Sequence, residues 1–280
     1  MTYRSLLVPL DHSPHGTART QFAARLAAEL DCHLVGVAPT GLIEMPSTTQ
    51  AAAALAEYSQ LAWDALRHEA QRAARRFRDE CHAAGLKSFE ATVDDAEQAA
   101  SIIRHAHCSD LTVLTQADPA HADHSRAQEI VEQVLLFSAR PTLIVPFAAR
   151  VNTLCTNALV AWDDSREASR ATLDALPLLR RAAQVQVVSW NEGGGTDKAT
   201  LHKRLDALQR WLQWQGVAAE VSVEPAASNI TDALAARAGD LGCDLVVMGA
   251  YGHARWVERM LGGATRGLLR SMAMPVLMSH

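Results

Sequence analysis

Short runs of β-branched and aliphatic residues alternate along the chain with longer segments whose apolar residues recur at helical spacing. In the second half, residues 158–162, 185–190, 219–223, 245–249 and 276–278 read as strands, separated by helical patterns such as 201–214 and 230–238. The first half repeats the rhythm with strands at 6–10, 34–37, 89–93, 111–115 and 143–145. Its helices include 17–30 and a long one around 57–84. Within 205–214, Leu205, Leu208, Trp211 and Leu212 share one helical face, the mark of a core-facing helix. Strands joined by helices run parallel through right-handed crossovers, so each half is expected to be a doubly wound α/β domain with helices on both faces of its sheet.

The two halves also resemble each other residue by residue, which identifies a tandem repeat. Asp110-Leu-Thr-Val-Leu-Thr115 aligns with Asp244-Leu-Val-Val-Met-Gly249, and the same shift carries Pro141-Thr-Leu-Ile-Val onto Pro275-Val-Leu-Met-Ser without a gap. Leu6-Leu-Val-Pro-Leu-Asp-His-Ser13 matches Ala158-Leu-Val-Ala-Trp-Asp-Asp-Ser165 at a larger shift, so the first half carries extra length in its middle, placed in the Ala-rich stretch from Met45 to Leu55. The expected organisation is two domains, 1–150 and 151–280. Each is a Rossmann-like five-stranded parallel sheet of order 3-2-1-4-5, and the last strand of each half is apolar to its end, an edge that needs covering.

Composition narrows the function. Hydrophobic residues make up 49% of the 280 positions and charged residues 20%, the balance of a folded soluble protein. With 26 Lys+Arg against 31 Asp+Glu the net charge is -5, so no basic field exists to hold a nucleic acid. No stretch approaches the ~20 apolar residues of a membrane span, and the opening MTYRSLLVPLDHS lacks the apolar core and cleavage site of a signal peptide, which points to the cytoplasm. The five cysteines (Cys32, Cys81, Cys108, Cys155, Cys243) form no C-x-x-C pair and read as small core residues.

Open parallel sheets bind ligands beyond the carboxyl ends of their strands, where the order reverses between strands 1 and 4. In the second half this crevice is bordered by Trp162-Asp163-Asp164-Ser165 and by Met248-Gly249-Ala250-Tyr251-Gly252-His253. A carboxylate such as Asp163 can accept from an exocyclic amine or a ribose hydroxyl; equally, Asp163 or Ser165 can cap the following helix. Gly249-x2-Gly252, nine residues, then Gly262-Gly263-Ala264-Thr265 allows the backbone to approach a phosphate and opens a helix whose first N–H groups favour an anion, although glycines also serve as ordinary turn residues.

Gly-x2-Gly-x9-Gly, a small residue, a short helix and Met-Pro-Val-Leu resemble the nucleotide-binding signature of the universal stress protein family, and so does the Asp-x-Ser after the first strand. The resemblance covers nearly the whole chain as two tandem copies. It implies an adenine nucleotide, usually ATP with or without Mg, in the strand 1/strand 4 crevice of a regulatory or stress-response module. Asp163 would then contact the adenine or ribose, the backbone at Trp190 the base, and Gly249, Gly252, Gly262 and Gly263 the phosphates. The family commonly has Ser or Thr directly after the third glycine, where this chain has Gly263; Thr265 is the nearest hydroxyl that could compensate. In the family, final strands often pair across a dimer, which here implies that the last strands of the two halves pair within one chain as a pseudo-dimer; further association of chains as a homodimer is compatible with this, and the identity of a protein partner is not carried by the sequence.

In the first half the positions matching Gly249, Gly252, Gly262 and Gly263 hold Thr115, Asp118, Gln128 and Glu129, so Asp11 survives without a phosphate cradle and no nucleotide is expected there. The loop His121-Ala-Asp-His124 offers metal-ligand types without a second ligand pair of recognised spacing, so no metal is expected. Neither a Gly-x-Ser-x-Gly elbow nor a Gly-x4-Gly-Lys-Ser/Thr loop occurs, and no catalytic residue is assigned. His253 could touch a terminal phosphate or simply pack its loop. The leading expectation is an ATP-binding regulatory module; the alternatives are a slow ATPase switch and a nucleotide-independent protein-interaction module.

Overall fold

The computed structural model describes residues 2–41, 51–148, 151, 153–191, 198–251 and 263–280. The first repeat runs β1 (Ser5–Pro9), α1 (Gly16–Leu30), β2 (His33–Pro39), α2 (Ala51–Ala83), β3 (Phe89–Asp94), α3 (Gln98–Ala106), β4 (Leu111–Thr115), α4 (His124–Phe137) and β5 (Thr142–Val145). The second runs β6 (Asn157–Ala161), α5 (Arg166–Leu179), β7 (Gln184–Trp190), α6 (Lys198–Trp214), β8 (Glu220–Glu224), α7 (Ile230–Asp240), β9 (Leu245–Gly249), α8 (Gly263–Ser271) and β10 (Val276–Ser279). The alternation read from the hydrophobic pattern is therefore present in both repeats, with α2 at 33 residues against 17 for α6. Extra length in the first repeat thus includes about four additional turns of helix. Part of the stretch assigned to it, residues 45–50, lies outside the described residues.

Local chemistry explains where the helices begin. Ser165 caps α5 by accepting from the Ala168 N–H, Glu97 caps α3 by accepting from Ala100, and Asn229 caps α7 by accepting from Thr231 and Asp232. Strand starts are fixed by a device that both repeats share. Asp110, just before β4, accepts from the N–H groups of Arg4 and Ser5 at 2.7 and 2.9 Å. Asp244, just before β9, accepts from those of Thr156 and Asn157, both at 3.0 Å. Each carboxylate satisfies donors at the first turn into a central strand, where no ladder partner is available.

The described chain divides into two compact units whose border departs from the repeat boundary: Tyr3–Thr115 with Glu129–Arg140 in one, and Met1–Thr2, Gln116–Gln128 and Pro141–His280 in the other. In the former, the strands lie in the order β3-β2-β1-β4, all parallel. In the latter the order is β8-β7-β6-β9-β10, again parallel, so the second repeat has the 3-2-1-4-5 arrangement that brings its strands 1 and 4 side by side. One detail departs from two self-contained five-stranded sheets. Strand β5, although the fifth strand of the first repeat, falls in the second unit and pairs antiparallel with β10, with Ile144 opposite Val276 and Thr142 opposite Met278. All four residues of β5 and all four of β10 are buried, as covering an otherwise open apolar edge requires.

The cores are aliphatic: Leu6, Leu7, Leu34, Phe77 and Leu111 in the first unit, Leu143, Ile144, Leu159, Leu205, Leu212 and Leu245 in the second, all fully buried. Four of the cysteines belong to these cores, and burial pushes the thiols of Cys81 and Cys155 up to about 12; Cys108 is exposed. No helix among the described residues is long and apolar enough to cross a membrane.

Candidate functional site

Strands β6 and β9 pair through Ala158–Leu245, Leu159–Val246 and Val160–Val247, and the ground beyond their carboxyl ends is where an open parallel sheet binds its ligand. Trp162, Asp163 and Asp164 leave β6 on one side; Gly249, Ala250 and Tyr251 leave β9 on the other. The loop after β6 is tightly built. Asp163 Oδ1 accepts from the Ser165 N–H at 3.1 Å and from its hydroxyl at 2.6 Å, while Ser165 Oγ accepts from Ala168. The capping and binding readings are thus compatible, since Ser165 caps the helix and holds Asp163, which remains exposed at the crevice. Asp164 adopts φ +61, and its carboxylate is paired with Arg204 from α6. Trp190, half-buried, ends β7 opposite Glu224.

On the β9 side, Gly249 is required by packing as well as by any ligand. A Cβ there would lie 2.6 Å from Ala168 N and 2.7 Å from the Glu167 carbonyl carbon, because the first turn of α5 rests on the strand. Glu167 is 4% exposed; burial would raise its carboxyl, but the hydrogen bond and charge of Arg166 and the charge of His280 hold it below the ordinary range. Tyr251 has φ +59, and its N–H donates to the Thr265 hydroxyl at 3.3 Å. Thr265, buried within α8, therefore ties the start of the loop after β9 to the helix that begins at Gly263. Gly252, His253 and Gly262 lie outside the described residues.

The first repeat places the same framework around different chemistry. Asp11 accepts from the Ser13 N–H at 3.0 Å and its hydroxyl at 2.7 Å, the geometry of Asp163 and Ser165 over again. Here the crevice holds a side chain that the sequence reading missed. Arg19 of α1 donates to Pro9 C=O and to Asp11 Oδ2, both at 2.8 Å, and to Thr115 Oγ1 at 3.3 Å. Burial pushes the Asp11 carboxyl up, but the Arg19 charge and the bonds from Ser13 and Arg19 outweigh it and leave it below its ordinary value. The signal was present in the sequence: Arg19 interrupts the small and apolar face of α1 formed by Gly16, Thr20, Ala23 and Ala27.

The helices after strand 4 also differ. Gln128 and Glu129, which align with Gly262 and Gly263, fall inside α4, four and five residues past its start at His124. The Ala127 N–H already donates to Asp123 C=O at 3.0 Å, so the donors that follow are engaged in the helix. Asp118 accepts from the Ala120 N–H at 2.9 Å in the preceding turn. His121 likewise serves its own loop by accepting from Asp123 N–H, and among the described residues no group of three metal-ligand side chains converges.

With this geometry in hand, comparison with known proteins becomes informative. The family model described as Universal stress protein family matches residues 156–280. A universal stress protein from Archaeoglobus fulgidus DSM 4304 superposes with a TM-score of 0.73 at 18% identity, covering 99% of this chain and 96% of that one. A functionally unknown protein from Pseudomonas aeruginosa PAO1 does so with a TM-score of 0.60 at 15% identity, covering 99% and 92%. At such identities the likeness establishes the fold over the full length, while no curated protein sequence matches significantly. Taken with the strand order of the second repeat, the match identifies residues 156–280 as a universal stress protein domain.

Proposed function

We propose that residues 151–280 bind one adenine nucleotide, ATP in the first instance, and that residues 1–150 form a related domain which no longer binds one. The observation that carries the reading is the construction of the two strand-end crevices. In the second repeat, an exposed Asp163, a side-chain-free Gly249 and the start of α8 at Gly263 border the opening. In the first, an arginine fills it and α4 has absorbed the matching turn. The second set of residues fits an adenine nucleotide. Asp163 can accept from an amine or a ribose hydroxyl; the Trp190 backbone, ending a neighbouring strand, supports the base; Gly249 and Gly263 keep bulk away from phosphates that α8 attracts, and Gly252 and Gly262, outside the described residues, complete the glycine motif in the sequence. Thr265 holds Tyr251 just past the end of β9, and His253 follows the second glycine in the sequence. Nucleotide occupancy, with or without Mg, would supply a charge-dependent switch that a cytoplasmic protein partner or a second copy of the chain could read.

The test is mass spectrometry of the ligand released from freshly purified full-length protein, with its stoichiometry. One adenine nucleotide per chain is expected, lost on Gly252→Asp, which puts a carboxylate into the glycine motif. Two per chain would overturn the reading of residues 1–150. None, together with no thermal shift on adding ATP, would favour a nucleotide-independent interaction module.

A further inference from the structure

We propose that Arg19 is a built-in ligand of the first repeat: its guanidinium stands in the strand-end crevice as a permanent substitute for the base-side donors of a nucleotide, making this repeat self-liganded and indifferent to nucleotide. The inference deepens the functional reading above and rests on it for the identity of the crevice.

The placement follows from the repeat. Most buried positions of α1 and α5 correspond at one shift, among them Gly16 with Ala168, Thr20 with Thr172, Ala23 with Ala175 and Ala27 with Leu179. Arg19 therefore matches Ala171, which is fully buried at 0% exposure, and its contact Thr115 matches Gly249. The second repeat has its two smallest residue types where the first has a guanidinium and the hydroxyl that receives it.

The chemistry of the contacts is that of ligand recognition. One guanidinium nitrogen donates both to the Pro9 carbonyl at the end of β1 and to Asp11 Oδ2; the other reaches Thr115 at the end of β4. One terminal nitrogen of the planar guanidinium offers two N–H donors, as the exocyclic amine of an adenine does, and an acceptor pair of carboxylate and strand-end carbonyl suits both. Arg19 is only 6% exposed, and its Nε is buried with no acceptor among the described residues. Folding rarely leaves such a donor unmet for packing alone. The head group is held by its two terminal nitrogens on the crevice wall, and those bonds are what close the site.

Hydrogen exchange of the full-length protein tests this, read in peptides covering residues 6–9 and 111–115. In the wild type, adding ATP should leave their exchange unchanged. Arg19→Met, which keeps the stem and removes the head, should speed it at least tenfold; Arg19→Lys, with charge but no fork, carries the same readout should the Met variant fail to fold. Arg19→Ala should recover protection in millimolar ethylguanidinium and not in equimolar ethylammonium, since a hole that merely needs filling would not tell the two apart. Unchanged exchange in the Met and Lys variants, rescue by either cation alike, or protection of these strand ends by ATP in the wild type would overturn the proposal. Failure of the nucleotide reading itself shows separately, as zero nucleotide per wild-type chain.

Discussion

Gly249 shows how one residue can serve the sheet and the site together. The α5 backbone sits where its Cβ would be, so Gly249→Ala must push the first turn of the helix away from β9. That costs about 1–3 kcal/mol, the usual scale for overpacking against a backbone that cannot yield. Gly239, in α7, has open space around its missing Cβ and an ordinary φ. Alanine there should be neutral or stabilising by up to about 1 kcal/mol. Urea denaturation of the two variants beside the wild type checks the contrast, and equal midpoints would show that α5 gives way freely. A motif glycine was legible in the sequence as a place needing small size. Whether a ligand or a helix demanded it was not, because both demands write the same letter. Arg19 poses the opposite problem: an arginine on an otherwise small helix face is visible, but its acceptors are distant in sequence and emerge only when β1 and β4 are neighbours.

At the scale of elements, the strands read from hydrophobic runs agree with the structure to within one or two residues. Buried parallel strands are nearly continuous apolar runs and have few other ways to be read. Helices were legible where an amphipathic stripe is long, as in α2 and α6. They were less so for α3 and α5, whose caps Glu97 and Ser165 are single residues, and whose Pro177, in α5, argues locally against a helix. The start of α4 at His124 was obscured because the repeat alignment transfers a loop from the other half. The paired carboxylates Asp110 and Asp244 are an element-level device with an element-level test. Each accepts from two backbone N–H groups at the start of a central strand, so Asp110→Ala or Asp244→Ala should cost about 1–3 kcal/mol by leaving those donors unmet. Hydrogen exchange should quicken first at Ser5 or Asn157 respectively, and uniform quickening along the strand would contradict local anchoring.

For the whole molecule, three carboxylates in different places share one electrostatic history. Asp11, Asp94 and Glu167 are each raised by burial and lowered further by hydrogen bonds and neighbouring charge: Arg19 and Ser13 for Asp11, Ser101 and Arg104 for Asp94, Arg166 for Glu167. A carboxyl held lower in the folded than in the unfolded state contributes stability that is fully present above its unfolded value, about 4, and is lost as pH falls through the folded value. Thermal denaturation should therefore be nearly flat from pH 7 to 5 in these contributions and fall steeply below about 4. Arg19→Met should flatten part of that acid limb, because burial then pushes the Asp11 carboxyl up against the Ser13 bonds alone; an acid limb identical to wild type would mean that the ion pair has no counterpart in stability.

Strand β5 is translated with the first repeat yet completes the edge of the second repeat's sheet, antiparallel to β10. Two separate single-domain chains would have to find each other to seal such an edge, and dilution would unseal it. Here the partner strand is tethered, with residues 146–156 between β5 and β6. Its local concentration is set by linker length and does not vary with how much protein is present. Closure of that edge is thereby a property of one chain and does not depend on protein concentration.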